Sequence, residues 1–293
     1  MKRISTLIAI VLAAALILPW TSQARAQNIV SFVSHAGSDG NNCLENSPCR
    51  SFFIASGSNK TVDGGTIMCL DAAEFGSATI TRSITIDCLA GGGGFNSNFF
   101  TINAPGAAVR LLNLAINANN ATASIDIIAA STVYLENVRV AQAGTGHPGI
   151  VDRRAGPAVL VIKNSSIVNN AGPGIVIAPA SGLIAADLEN VTSAYNTFGL
   201  AVGNGGRVTI KNSYFTNNSV AGIESDGGTF LNINGSQVAF NETGVLSHGS
   251  TTLNQTQILS NTTAINGATQ STGNNLIVGN STDGTAPTII STR

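Results

Sequence analysis

The sequence predicts an all-β chain wound into a solenoid of parallel strands, and three observations carry that prediction. From about residue 109 onward the same block recurs: a short apolar strand, a polar residue that is usually Asn, a second strand, another Asn, then Gly and a third strand. Two further columns of residues keep phase with that first polar residue. Few stretches offer the Leu/Glu/Lys/Ala mixture that helices favour.

The copies read VRLLNLAINANN, VYLENVRVAQAG, LVIKNSSIVNNAGPGIVIA, ADLENVTSAYNTFGLAVG, VTIKNSYFTNNSVAGIES, LNINGSQVAFNETGVLS, TLNQTQILSNTTAIN and a worn NNLIVGN. Their anchors are Asn113, Asn137, Asn164, Asn190, Asn212, Gly235, Gln255 and Asn275, at steps of 24, 27, 26, 22, 23, 20 and 20 residues. Three places on stands an almost wholly apolar column: Ile116, Val140, Ile167, Ser193, Phe215, Val238, Ile258 and Val278. Six places on stand Asn119, Ala143, Asn170, Asn196, Asn218, Asn241, Asn261 and Ser281. Coils of about 20–27 residues, each three strands and three turns, would pair with their neighbours at the ~4.8 Å ladder spacing, so that equivalent residues stack. Asn suits the bends, because it tolerates left-handed backbone and its amide reaches a neighbouring coil. On this reading Asn113, Asn137, Asn164, Asn190 and Asn212 form a structural ladder, Asn212 lies in its inner part, and Asn280 lies beyond the last full coil. A β-sandwich has no reason to keep this phase, and the L-x-x-L-x-L frame of a leucine-rich repeat is missing.

The N-terminus begins with basic Met1-Lys2-Arg3, continues with an apolar run from Leu7 to Leu18, and reaches Ala24-Arg25-Ala26, a small-x-small cleavage site. Residues 1–26 therefore read as a secretory signal peptide. The run is shorter than the ~20 residues of a membrane span. Cleavage would remove the single Trp along with three basic residues, leaving an acidic chain. The expected location is secreted or periplasmic. Even uncut, 14 Lys+Arg against 15 Asp+Glu supply no field for nucleic acid.

An oxidising compartment makes the four cysteines disulfides. Four Cys allow three pairings, and spacing favours Cys43–Cys49 across a short polar loop and Cys69–Cys88 on apolar strands 19 residues apart, close to one coil. Scattered His35, His147 and His248 and the lack of C-x-x-C speak against zinc, so no metal and no cofactor are expected. Residues 27–108 form an N-terminal cap and the first disulfide-bearing coils, and residues 109–293 the repeats and the C-terminal end. Gly91–Gly94 reads as a turn or loop rather than a calcium repeat.

The Asn anchors, the recurring Asn-x-x-x-Gly at Asn170 and Asn218, and the opening FVSHAGSDGNNCLENSPCRSF together resemble the secreted right-handed parallel β-helix proteins of the pectin-lyase-like superfamily. The resemblance implies a single-stranded right-handed parallel β-helix with an N-terminal cap, in which Phe52, Phe53 and Ile54, before Ser56-Gly57, would be the capping helix with Pro48 near its first turn. It is specific for fold and weak for activity, because this fold hosts lyases, hydrolases and binding proteins.

The resemblance also implies that ligands lie along the sheet built from the strand after the turn Gly. With Ile150, Ile175, Leu200, Ile223, Val245 and Ile265 inward, alternation puts Val151, Val176, Ala201, Glu224, Leu246 and Asn266 outward. That row is mostly apolar and lacks the stacked acids of a calcium-dependent lyase. The turn position beyond it carries Arg153, Ala178, Gly203, Asp226 and His248. Glu224, Asp226 and His248 are the catalytic candidates, since two carboxylates and an imidazole suit acid–base work on a glycosidic bond. The plainer reading is three solvated polar residues at a strand end. Arg153 and Arg154, about three coils away, and outward-facing Tyr134 and Tyr214 are candidate saccharide contacts. The function expected is a monomeric protein acting outside the cytoplasm that binds extracellular or cell-wall polysaccharide, without evident catalysis and without nucleic-acid or membrane partners. The alternative is a polysaccharide lyase or glycoside hydrolase. An autotransporter passenger is disfavoured because no barrel pattern follows the last coil.

Overall fold

The computed structural model describes residues 27–89, 95–118 and 123–291. The signal-peptide reading of residues 1–26, the Gly91–Gly94 run and Asn119 lie outside the described residues. Among the described residues the strands form three parallel sheets of twelve, nine and ten strands, each running the length of a right-handed solenoid of about nine turns. Consecutive strands of one coil belong to three different sheets, and each strand pairs with its equivalents in the coils before and after.

Apolar residues at alternate strand positions fill the interior. Leu111, Leu135, Ile162, Leu188, Ile210, Ile233 and Leu253 stack inside the twelve-strand sheet. Ile116, Val140, Ile167, Ser193, Phe215 and Val238 do so inside the nine-strand sheet, where small Ser193 lies beside bulky Phe215. Ser193 needs a partner at that depth, and its hydroxyl donates to the Gly199 carbonyl at 2.7 Å.

The N-terminal end is closed by the edge strand Asn28–Val33, paired in parallel with Thr61–Cys69, and by helix α1, Phe52–Ala55. The Ser51 hydroxyl caps α1 by accepting the Ile54 amide. Phe52 seals the first coil by packing on Phe75 and Phe100, with ring centroids 5.2 and 5.6 Å away. Asp71 ties the edge strand down by accepting from the Ser34 hydroxyl and the His35 amide. Disulfides join Cys43 to Cys49 and Cys69 to Cys88. The second staples adjacent coils, since Met68 and Asp87 are ladder partners and the two cysteines follow them.

Two different asparagine corners exist, and they overturn part of the sequence reading. The anchors Asn113, Asn137, Asn164, Asn190 and Asn212 all adopt left-handed backbone, with φ between 49° and 56°. Their amides link in short runs: Asn137 donates to Asn113, and Asn190 donates to Asn164. From Asn137 onward, however, these anchors are exposed, and among the described residues no amide bond links Asn212 to Asn190. The inner ladder is the column six places on. Asn170 donates to Asn196, Asn218 to Asn241 and Asn241 to Asn261, all at 3.0 Å and all buried. Each ladder carbonyl also accepts the backbone amide of the previous rung.

This ladder explains the Asn-x-x-x-Gly motif. A Cβ on Gly149, Gly174, Gly199, Gly222 or Gly244 would come within 3.0 Å of the ladder amide one coil on. The last coil is also one residue out of the expected register. Gln257 pairs with Leu276, so the anchor there is Asn274 rather than Asn275, and the ladder ends on Asn280 rather than Ser281. The cause is a doubled bend in which Asn274 accepts from the Gln255 amide and Asn275 from the Thr256 amide. Asn280 is therefore a rung, accepting from Asn261 at 3.1 Å, and not a tolerant position past the end.

Candidate functional site

The ten-strand sheet follows directly from the glycine corner, so its register is set by the ladder beneath it. Ile150, Ile175, Leu200, Ile223, Val245 and Ile265 stack inward as ladder partners. Val151, Val176, Ala201, Glu224, Leu246 and Asn266 stack outward. At the end of this sheet the Asp226 amide donates to Val202 and the His248 amide to Ser225, which places these two residues on adjacent coils. Glu224 lies two residues before Asp226 on the same face, half-buried between Ala201 and Leu246.

Glu224, Asp226 and His248 thus come together. Burial, reinforced by the negative field of Asp226, raises the Glu224 carboxyl above its ordinary range, and His248 pulls it partly back. A carboxyl held up in this way is suited to give a proton, beside Asp226 and His248 as groups that take one. Among the described residues no group of three or more His, Cys, Asp and Glu side chains is placed to hold a metal ion.

The other candidates scatter. Arg153 stands three coils from Asp226 in the same column and is held by Asp126 through two hydrogen bonds, of 2.8 and 2.6 Å. Its neighbour Arg154 is not a ligand contact. It is 1% exposed and folds back on buried Asp152, donating at 2.8 and 2.6 Å and also reaching the Ala130 and Val159 carbonyls. A buried carboxylate needs a charged partner, and this arginine is consumed in that role. Tyr134 lies outward on the twelve-strand sheet, its ring covered by Arg110 at 4.3 Å and its hydroxyl bonded to Glu136 at 2.8 Å. Tyr214 lies on the nine-strand sheet, 52% exposed. The two tyrosines therefore face different directions and cannot share one sugar chain.

One feature of the surface escaped the sequence reading. At the corner between the nine-strand and ten-strand sheets, Tyr195 and Phe240 stand just before the buried asparagines Asn196 and Asn241. Both are exposed and both have left-handed backbone. The signal lay five places after each anchor, where the other residues are mostly Asn, Gln, Ser and Gly.

A single-chain parallel β-helix with a buried asparagine corner defines the class. The family model described as right handed beta helix region matches residues 118–282, more than half of the chain, and the chain belongs to that family. Among solved structures it is similar to a pectate lyase, Pel9A, at 15% identity and a TM-score of 0.50, covering 91% of this chain and 78% of that one. It is also similar to a rhamnogalacturonan lyase at 11% identity and a TM-score of 0.47, covering 82% and 75%. The likeness to the pectate lyase, at this identity, shows the fold. No curated protein matches the chain.

Proposed function

We propose that this protein is exported and binds polysaccharide along the outside of its solenoid. The observation that supports this most is geometric: outward side chains recur in straight rows along the axis, one per coil at ~4.8 Å, which suits a linear polymer better than a compact ligand. The pectate lyase that shares the fold acts, by its name, on such a polymer. Two disulfides agree with an oxidising compartment, and residues 1–26 would be the cleaved signal ahead of the cap and first coils (27–108) and the repeats (109–293).

A second reading, that the protein cleaves a glycosidic bond, is favoured by one observation, the raised Glu224 carboxyl beside Asp226 and His248. Glu224 would then act as the acid and Asp226 or His248 as the base. Incubation with uronate and neutral polysaccharides separates the readings. Retention on a polysaccharide without product supports binding alone. Unsaturated products absorbing in the ultraviolet, or new reducing ends, mark catalysis. Glu224→Gln should then lower turnover roughly 10²–10⁴-fold with the fold intact, and turnover that survives this change removes Glu224 from the mechanism.

A further inference from the structure

Where the nine-strand sheet bends into the ten-strand sheet, one residue per coil adopts a left-handed conformation: Gln142, Asn169, Tyr195, Asn217, Phe240 and Ser260, with φ between 54° and 60°. Asn accepts such backbone readily, whereas a bulky aromatic is strained in it. Packing would be the usual compensation, yet Tyr195 is 59% exposed and Phe240 62%. Two strained rings left in solvent break a local rule that their neighbours in the column obey. Such sites are where function is expected to hold a residue against its own propensity.

The two rings stand two coils apart, about 10 Å at the ladder spacing. Both rings line a groove of about 570 Å³ that runs along the axis, with Asn217 and Ser219 in the coil between them, Glu242 beside Phe240 and Thr262 one coil further on. Glu242 carries the groove's only charge, and its carboxylate accepts from the Thr262 hydroxyl at 3.1 Å.

We infer that this ridge is a stacking site for a neutral glycan running along the solenoid axis, with one sugar ring on Tyr195 and another on Phe240. An exposed ring presents an electron-rich face to the C–H face of a sugar. In a two-fold β-1,4-linked ribbon alternate rings turn the same face outward once per disaccharide, and the two-coil separation matches that repeat. Asn217 and Ser219, in the coil between the two rings, offer an amide and a hydroxyl to the sugar hydroxyls there. Glu242, with no cation in the lining, repels a polyuronate, which leaves an uncharged chain as the ligand. The inference rests on the polysaccharide-binding reading above and gives it a place and a substrate class.

The test is calorimetric titration of the full chain with cellohexaose, mannohexaose and hexagalacturonate, together with melting curves. Tyr195→Asn and Phe240→Asn install the residue that Asn169 and Asn217 already are, so each should raise or preserve Tm while weakening binding of a neutral hexaose roughly threefold to tenfold. Tyr195→Leu, which keeps apolar bulk without a ring, should weaken binding too. Neutral-hexaose affinity that is unchanged in the double Asn variant overturns the inference, and so does a marked fall in Tm, which would make the rings structural. Wild-type binding of hexagalacturonate alone overturns it but leaves the polysaccharide reading standing. Wild-type protein that binds no saccharide defeats both.

Discussion

The two asparagine corners are chemically alike and physically opposite. Asn212 and Asn218 are six residues apart, and each belongs to a column that recurs along the coils. The outer column links only in short runs, whereas the inner one hands hydrogen bonds from rung to rung from Asn170 to Asn280. Asn212 is exposed, and its column accepts Gly235 and Gln255 in the same left-handed conformation. Asn218 is 1% exposed, donates to the Ser193 carbonyl and Asn241, and accepts the Asn196 amide. The outer column asks for a backbone shape, which several residues supply. The inner column asks for a donor and an acceptor where water cannot reach, which only the amide supplies here. Arg153 and Arg154 repeat the lesson within one dipeptide, since one is an exposed partner of Asp126 and the other a buried counter-charge to Asp152.

The largest expected effect breaks the arginine pair apart. Arg154→Met leaves the Asp152 carboxylate buried and alone and should cost about 3–5 kcal/mol, whereas Arg153→Met, at a solvated ion pair, should cost about 1 kcal/mol or less. Urea unfolding of both variants checks this, and similar midpoints would mean that burial does not separate them.

Next come the asparagines. Asn218→Ala orphans buried groups at roughly 1–3 kcal/mol each. Asn212→Ala pays only for left-handed backbone, about 1 kcal/mol, and Asn212→Gly should be close to neutral because Gly235 already occupies the equivalent bend. Equal melting temperatures for Asn218→Ala and Asn212→Gly would dissolve the distinction between the corners.

The smallest effect concerns Glu224, which lies between the two regimes, half-buried on an outer row. Its carboxyl is raised in the folded state, so the folded protein holds that proton more tightly than the unfolded chain does. The stability gained is full below the unfolded carboxylate range near ~4.3 and is lost as pH rises through the higher folded value. Glu224→Gln should therefore match wild type in acid and be slightly more stable at neutral pH. Melting curves across that window test it, and a variant less stable at neutral pH would contradict the assigned cause.

Much of the fold was legible because periodicity survives translation into sequence. The inward and outward rows of the ten-strand sheet follow from alternation once the turn glycines are aligned, and that register also brings Glu224, Asp226 and His248 together. What periodicity does not carry is depth. Both asparagine columns repeat alike, so the exposed anchors read as the inner ladder until burial separates them. Arg154 lies in a bend after the strand, where alternation ends and no phase assigns it to the interior. Asn275 misled the register because two asparagines follow each other at the last corner. Tyr195 and Phe240 went unseen because an aromatic ring is judged by its neighbours in a strand, and here its meaning comes from standing in a left-handed column. The distinction between Tyr134 and Tyr214 needed the sheets themselves, since both read as outward-facing and only the coil geometry sets them on separate faces.

The central claim is that the exterior of the solenoid acts as an extended binding row for a linear polysaccharide. Titrating wild-type protein with one homologous series, from disaccharide to octasaccharide, tests it most directly. A row of contacts repeated coil by coil requires affinity to climb with chain length until the row is filled. Affinity that is already complete at the disaccharide, or no binding at any length in neutral and acidic series alike, would contradict the account.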